Sequence, residues 1–379
     1  MPVVRFSSLD QLQPWRAAWN ELAGGVPFRA WEWLAAWWRC YSPVESRSEL
    51  NVLAVFADDG AVLGIAPWFR QQSARFGHVI RFLGTGEVCS DYLSLLARPQ
   101  HEEAVATAVA DWLSSQNEAG ATQQQGAQAW DLLDISGVDS QDRTTKRLLE
   151  ILAQRAHTIH SRLGPRCWRV NLPPRWSDYE AILSHSHRKQ VRRLQRTYLA
   201  SGRLILKTVQ TAADLEEGQA VLIDLHQRRQ ERLGNRGCFA SSPFRAFHLE
   251  IMPWLLAQNQ LRLHWLELDG RQIAAEYHLA SNGVVYAYQS GIDPDALEHE
   301  PGRLAAIATL QAAIEQGFAG YDFLRGDEPY KAHWRAEPRR LLEVFVVPNR
   351  ASARLRYGVW AAGKGVKQWI KGRLPTAIR

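Results

Sequence analysis

Hydrophobic and polar positions change period along the chain, and the changes mark its elements. In residues 28–41, FRAWEWLAAWWRCY, Trp31, Leu34, Ala35 and Trp38 recur at helical spacing, which predicts an aromatic-rich helix packed into a core. Two apolar runs follow in LNVLAVFADDGAVLGIAPWFRQ, joined at Asp58-Asp59-Gly60, the composition of a hairpin turn. VIRFLG and DYLSLLA read as strands, HEEAVATAVADWLSSQ as an amphipathic helix, GATQQQGAQ as a polar loop and WDLLDISGV as a strand. Strands in succession, then a helix and another strand, predict a sheet domain ending near Leu163-Gly164-Pro165.

The second half opens with RCWRVNL as a strand and WSDYEAILSHSHRKQVRRLQRTYLASG as helical sequence. LILKTV is then a strand, DLEEGQAVLIDLHQRRQERLG a helix, and PFRAFHLEIMPWLLAQ a helix that Pro253 interrupts or kinks. From Gln260, LRLHWLELDGRQIAAEYHLASNGVVYAYQSGI holds three strand-like runs with turn signals at Asp269-Gly270 and Asn282-Gly283. A polar loop leads into RLAAIATLQAAIEQGF, where Leu304, Ile307, Leu310 and Ile314 support a helix closed by Gly317, and the strand YDFLRG follows at once. That order is a crossover between two parallel strands with the helix on one face. RLLEVFVV is the last strand, and a basic helix begins near Arg350.

At 379 residues the chain exceeds one typical core, which predicts two domains. With 46% hydrophobic and 22% charged residues it is a folded globular sequence. The opening MPVVRFSSLDQLQPW lacks the features of a secretory signal and no window reaches 18 apolar residues, so a cytoplasmic location is expected. Cys40, Cys89, Cys167 and Cys238 are scattered with no Cys-x-x-Cys pair, which predicts neither a disulfide framework nor a zinc site. The twelve histidines show no metal-ligand spacing, and His185 and His187 read as a polar helix start, so no metal is expected. The net charge of +6 is uneven: seven basic residues and no acid lie in residues 181–213, and eight with no acid in residues 350–379. Such local basicity points to particular anionic ligands or surfaces.

Three ordered stretches carry a family resemblance: WEWLAAWWR with GIAPWF and RFLGTGEVCSDYLSLL; SHRKQVRRLQRTYLASG; and GFAGYDFLRGDEPYKAHW. Spanning Phe28 to Trp334, they resemble the GNAT-like acetyltransferases found beside cellulose and exopolysaccharide biosynthesis genes and, more distantly, the Fem-type aminoacyl transferases of peptidoglycan. The resemblance implies an α/β (α+β) fold of tandem GNAT-like domains, each a mixed central sheet flanked by helices. The expected division is an N-terminal half over 1–165, an acyltransferase half over 166–349 and a basic tail over 350–379. It also implies transfer of an acyl group, with acetyl-CoA or another acyl-CoA as co-substrate, to an amine. GNAT enzymes carry an Arg/Gln-x-x-Gly-x-Gly/Ala loop before the crossover helix, whereas this loop reads Glu298-His299-Glu300-Pro301-Gly302-Arg303. A pyrophosphate can still sit at the helix start of Pro301, Gly302 and Arg303 on the backbone N–H groups left free there, which Pro301 itself lacks, although Glu298 and Glu300 oppose it.

Amide formation needs a neutral amine, a path for its proton and a donor to the carbonyl oxygen. Asp327-Glu328-Pro329-Tyr330-Lys331 gathers carboxylates, a phenol and an ammonium just after a predicted parallel strand. The Fem resemblance places Lys331 at the transfer centre; beside it Asp327 is expected to orient the ammonium and Tyr330 either to relay a proton or to pack against the acceptor, and the plainer reading is that Asp327 and Lys331 cap and pair across a turn. Lys331→Ala is accordingly expected to keep the fold and lose turnover. Glu276, mid-strand in QIAAEYHLA, is either a general base facing the donor cleft or a solvent-facing charge. Tyr288, Ser290 and Gly291 lie on the strand that contacts the acyl donor in GNAT folds, and equally suit an ordinary sheet.

On the basic helix, Arg188, Lys189, Arg192, Arg193 and Arg196 form a cationic stripe, either a solvated face or a phosphate site for a nucleotide sugar, a lipid-linked acceptor or transfer RNA. The tail WAAGKGVKQWIKGRLP interleaves Trp360, Val366, Trp369 and Ile370 with lysines, which suits an anionic membrane surface or packing on the body. Three functions are consistent with these features. They are N-acyltransfer to an amino sugar in exopolysaccharide or envelope assembly, aminoacyl transfer from charged transfer RNA, and a non-catalytic scaffold of a polysaccharide synthase.

Overall fold

The computed structural model describes residues 1–44, 47–117 and 129–373, with side chains as far as residue 362. The polar stretch 120–128 and the side chains of Val366, Trp369 and Ile370 lie outside the described residues. The first half contributes β1 (Val3–Phe6), α1 (Trp31–Tyr41), β2 (Ser48–Leu50), β3 (Val52–Phe56), β4 (Val62–Ala66), β5 (Trp68–Ser73), β6 (Gly77–Phe82), β7 (Leu96–Ala97), α2 (Glu102–Ser115), β8 (Leu132–Asp139) and α3 (Arg143–Gln154). A long strand, β9 (Thr158–Asn171), leads into α4 (Trp176–Ile182), α5 (His185–Leu194), β10 (Leu204–Thr208), α6 (Ala212–Arg232) and α7 (Ser242–Ala257). Then come β11 (Leu261–Leu268), β12 (Arg271–Ser281), β13 (Val284–Ile292), α8 (Pro301–Glu315), β14 (Gly320–Arg325), α9 (Tyr330–His333), β15 (Glu337–Val347) and α10 (Ala351–Arg373).

Eleven strands form one sheet in the order β10-β11-β12-β13-β14-β9-β15-β8-β6-β5-β2, beside a smaller sheet β1-β3-β4-β7. Each half holds one parallel pair with a helix between its strands: β6 with β8 around α2, and β13 with β14 around α8. The strand that follows each pair crosses to the other half. β9 lies antiparallel to β14, β15 lies antiparallel to β8, and β9 and β15 pair with each other at the centre. This exchange explains why the expected boundary near Pro165 falls inside a strand: β9 runs unbroken across it because its hydrogen-bond partners are β14 and β15. The halves are also fused by aromatic packing. Trp33 of α1 meets Phe247 of α7 edge-on at 4.8 Å and Tyr288 of β13 at 5.4 Å, and its indole N–H donates to Ser90 Oγ at 2.9 Å.

The turns behave as their residues dictate. Asp269 and Gly270, and Asn282 and Gly283, all adopt positive φ, the conformation of two-residue hairpins that Asx-Gly pairs tolerate. Three expectations are corrected. The helical sequence over 176–202 is divided at Ser184, whose hydroxyl accepts from His187 N and caps α5. Of the two outcomes expected at Pro253, an interruption does not occur: α7 runs on through it, and the carbonyl that loses its partner belongs to Leu249, on the exposed side. Of DYLSLLA only Leu96 and Ala97 are strand, and the segment before them fills a gap in the sheet.

Candidate functional site

β13 and β14 pair over only three residues, Val284 to Tyr286 against Gly320 to Asp322, and then diverge. The cause lies on both strands. Tyr277 of β12 faces Gln289 while His278 faces Ala287, so Tyr288 is an extra residue that bulges β13 at the point of divergence. On β14, Leu324 takes φ +54, which turns the strand end away. That conformation is held from two sides: Leu324 N donates to Asp322 Oδ1 at 2.8 Å, and the Leu324 carbonyl accepts from Lys331 Nζ at 3.2 Å. The wedge opens into a cavity of about 700 Å³ lined by residues 287–292 of β13, Tyr321 and residues 323–325 of β14, and the start of α8.

β6 and β8 of the first half also pair over three residues, Val79 to Arg81 against Leu132 to Asp134. There the gap is closed by the chain itself, as Leu93 bridges to Val138. The same segment reaches the second half. Asp91, buried, pairs with Arg325 at 2.6 Å, and the Tyr92 hydroxyl donates to the buried Asp322 at 2.7 Å. Burial raises the Asp322 carboxyl to about 6. The first half thus plugs its own wedge and clamps the strand that forms the other.

Glu276 sits at the floor of the cavity and is mostly buried. Desolvation lifts its carboxyl to about 8, because little surrounds it to replace water around the charge. Its Oε2 lies 3.2 Å from His278 Nε2, which is 3.3 Å from the Tyr321 hydroxyl, itself 3.3 Å from Thr309 Oγ1. Burial lowers His278 and neighbouring His264 to about 3, so both imidazoles are neutral. The result is a chain of proton-exchanging groups leading from the cavity into the core. The solvent-facing alternative for Glu276 does not hold, since its side chain is on the cavity side of β12.

The Asp327–Lys331 motif is divided. Lys331 is buried and donates to the carbonyls of Leu324 (3.2 Å), Arg325 (2.8 Å) and Gly326 (3.2 Å), and pairs with Glu328 at 2.9 Å. Asp327 turns away: it accepts from Arg166 at 2.7 Å and the Trp168 indole at 3.3 Å, so the carboxylate that holds Lys331 is that of Glu328. The Arg166 guanidinium keeps the Asp327 carboxyl below its ordinary range. Tyr330 lines the cavity, and burial raises its phenol. Tyr288 donates to the Val88 carbonyl at 2.7 Å and packs behind the wedge, whereas Ser290 is exposed at its lip. Gly291 permits close contact: a Cβ there would fall 2.5 Å from His226 N on α6.

At the start of α8, Glu300 holds φ +55 and no side chain caps the helix. The first turn of a helix leaves its N–H groups without intrahelical partners, and Gly302 stands in that turn at the cavity wall with Arg303 and Arg229; a Cβ on it would meet nothing nearer than Ile292 at 3.9 Å. The carboxylate of Glu300 is engaged by Arg193, Arg303 and Gln190, the last at 2.8 Å, which removes much of the repulsion expected from it. This accounts for one arginine of the stripe. Arg192 pairs with Glu180 at 3.2 Å, while Arg188, Lys189 and Arg196 have no carboxylate partner among the described residues and line an open groove of about 530 Å³. His187 lies in the first turn of α5, where its side chain is buried against Trp334, and desolvation lowers it to about 4.

Asp91, Tyr92, Asp322 and His278 escaped sequence reasoning because each acts across 40 or more residues; His278, two places from Glu276 on the same strand face, was the one with a local signal. No helix among the described residues is long and apolar enough to cross a membrane.

Residues 185–332 match the family model of the acetyltransferase (GNAT) domain. A search of curated proteins by sequence gives no match. Among solved structures the chain is similar to FemX, with a TM-score of 0.63 and 11% identity over 94% of this chain and 99% of that one. It is also similar to the C-terminal domain of a putative lysylphosphatidylglycerol synthetase from Agrobacterium fabrum (TM-score 0.51, 12% identity, 90% and 95% covered). A conserved protein of unknown function from Bacteroides thetaiotaomicron gives a TM-score of 0.52 at 10% identity, with 91% and 100% covered. Residues 185–332, which contain the open wedge, are therefore similar to the acetyltransferase (GNAT) domain, within a mixed α/β fold of the kind seen in FemX.

Proposed function

We propose that the second half is an N-acyltransferase that takes acyl-CoA, acetyl-CoA in the first instance, into the wedge between β13 and β14. The observation that carries this reading is the open wedge with an uncapped helix start at its rim. The pantetheine arm lies along the edge of residues 287–292 that β14 leaves unpaired, and the pyrophosphate meets the Gly302 N–H with Arg303 and Arg229. Glu276 takes the proton from the attacking amine and passes it toward His278 and Tyr321. Tyr330 contacts the acceptor at the mouth. Lys331 acts as a positioning residue, because its ammonium fixes the carbonyls that hold β14 apart from β13. The acceptor is an amino sugar or related amine of exopolysaccharide or cell-envelope assembly, a choice that rests on the resemblance of the sequence motifs.

A second reading, transfer from an aminoacyl-tRNA, is favoured by the groove of Arg188, Lys189 and Arg196, whose open cations suit a phosphate backbone. Exposed Leu355 and Val359 on α10, flanked by Arg354 and Arg356, further support contact with an anionic membrane surface, whereas Trp360 packs on Phe76 and Phe345 of the body. The test is release of free coenzyme A thiol from acetyl-CoA with a panel of amino sugars. Release that depends on the amine supports acyl transfer; melting that responds to charged transfer RNA and is indifferent to acetyl-CoA overturns it in favour of the second reading.

A further inference from the structure

One reactive pair lines the same cavity and has no part in the chemistry just described. Cys238 opens the short turn Cys238–Ala240 and contributes to the cavity wall beside Gln289 and Ser290. The turn is brought against α6 by Gly237, at φ +72, where a Cβ would fall 2.1 Å from Gln227 Oε1. On α6, His226 is buried with its Nε2 3.3 Å from Cys238 Sγ. Its Nδ1 lies 2.9 Å from the Ser290 carbonyl, which can only accept, so Nδ1 carries the hydrogen and Nε2 presents its lone pair to the thiol. Phe239 packs edge-on against the imidazole at 5.3 Å, and Gln289 Nε2 donates to the sulfur at 3.2 Å. A nucleophile, a base and a group that fixes the base's tautomer are therefore assembled at the wall of the donor cavity.

We propose that Cys238 receives the acyl group from the donor as a covalent thioester, with His226 as its general base, before the amine takes it. The proposal rests on the acyl-CoA reading above. In the first step Cys238 Sγ attacks the thioester carbonyl carbon while the S–H proton passes to His226 Nε2. Collapse of the tetrahedral adduct breaks the bond to the coenzyme A sulfur, and His226 returns the proton to that leaving thiolate. In the second step the amine attacks the Cys238 thioester carbon, Glu276 takes the amine's proton and the Cys238–acyl bond breaks; the leaving thiolate takes a proton from solvent water through His226 Nε2, and Glu276 gives the amine's proton up to solvent, which restores the neutral resting groups. Burial pushes the thiol up to about 12 and lowers His226, so the resting pair is neutral. Deprotonation then accompanies attack, and an occupied donor site is needed before the thiolate forms.

The experiment incubates the full chain with acetyl-CoA and no amine, maps acetylated peptides by mass spectrometry, and follows melting temperature in parallel. Acetyl on Cys238, removable by hydroxylamine and formed at least about a hundredfold more slowly in His226→Gln, is the expected result. A melting shift with acetyl-CoA but no acetyl on Cys238, or full amine-dependent turnover in Cys238→Ala, overturns the covalent step and leaves the acyl-CoA reading standing. No melting shift at all removes both. The peptide map is made on the unsubstituted protein, so it stands even where a variant fails to fold.

Discussion

Replacing Glu276 by Gln separates the energetic cost of this carboxylate from its chemical use. Burial raises its carboxyl from the ordinary 4.5 to about 8. Below pH 4.5 the group is protonated both folded and unfolded and costs nothing. Between 4.5 and 8 the unfolded chain releases a proton that the folded protein keeps, so stability falls as pH rises, by on the order of 3 kcal/mol at pH 7 and 5 kcal/mol above pH 8. Gln is neutral throughout and keeps an amide to face His278. Glu276→Gln should therefore melt with the parent near pH 4.5 and increasingly above it toward pH 9. Turnover should move the other way. The parent's kcat/KM should climb tenfold per pH unit and level off near 8, and the Gln variant should lose about 10² to 10⁴ in rate with that climb abolished. His278 and His264, held near 3, do not titrate in this range and cannot supply the rise. Thermal melts and initial rates across pH 5 to 9 decide it, with the range itself set by about these two carboxyl values. A Gln variant with the parent's rate and pH profile would refute the assignment.

Lys331→Ala should destabilise the protein by about 3 kcal/mol, since three carbonyls lose a buried donor, and a melting temperature equal to the parent's would show that they find other partners. Gly291→Val should drive α6 from β13, lowering the melting temperature and loosening the Cys238–His226 contact; an unchanged melt would contradict the close approach seen there. Reversing Arg188, Lys189 and Arg196 to Glu should weaken binding of a polyanion and flatten its dependence on salt, whereas the ion-paired Arg192 should matter less; affinity that ignores salt in the parent would return the stripe to a solvated face.

Much of the second half was legible because its signals are local. Asx-Gly turns fixed the β11-β12-β13 meander, and the switch from period 2 to 3.6 and back located α8 between two parallel strands. The strand exchange was not legible, since nothing in the composition of β9 or β15 says which half supplies its partners. For the same reason the clamp from Asp91 and Tyr92 onto β14 was hidden: it joins residues more than 200 positions apart. Lys331 shows a different limit. Its motif correctly marked the mouth of the wedge, but a lysine that donates to three carbonyls and one that touches substrate look alike in sequence.

The account turns on where the acyl donor goes. Amide hydrogen exchange on the full chain, with and without coenzyme A, reads this directly. Bound donor should slow exchange in residues 287–292 along β13 and in residues 302–304 at the start of α8, and leave residues 79–81 and 132–134, the parallel pair of the first half, unchanged. Protection confined to the first half or to the basic groove of α5, with residues 287–292 unaltered, would contradict it.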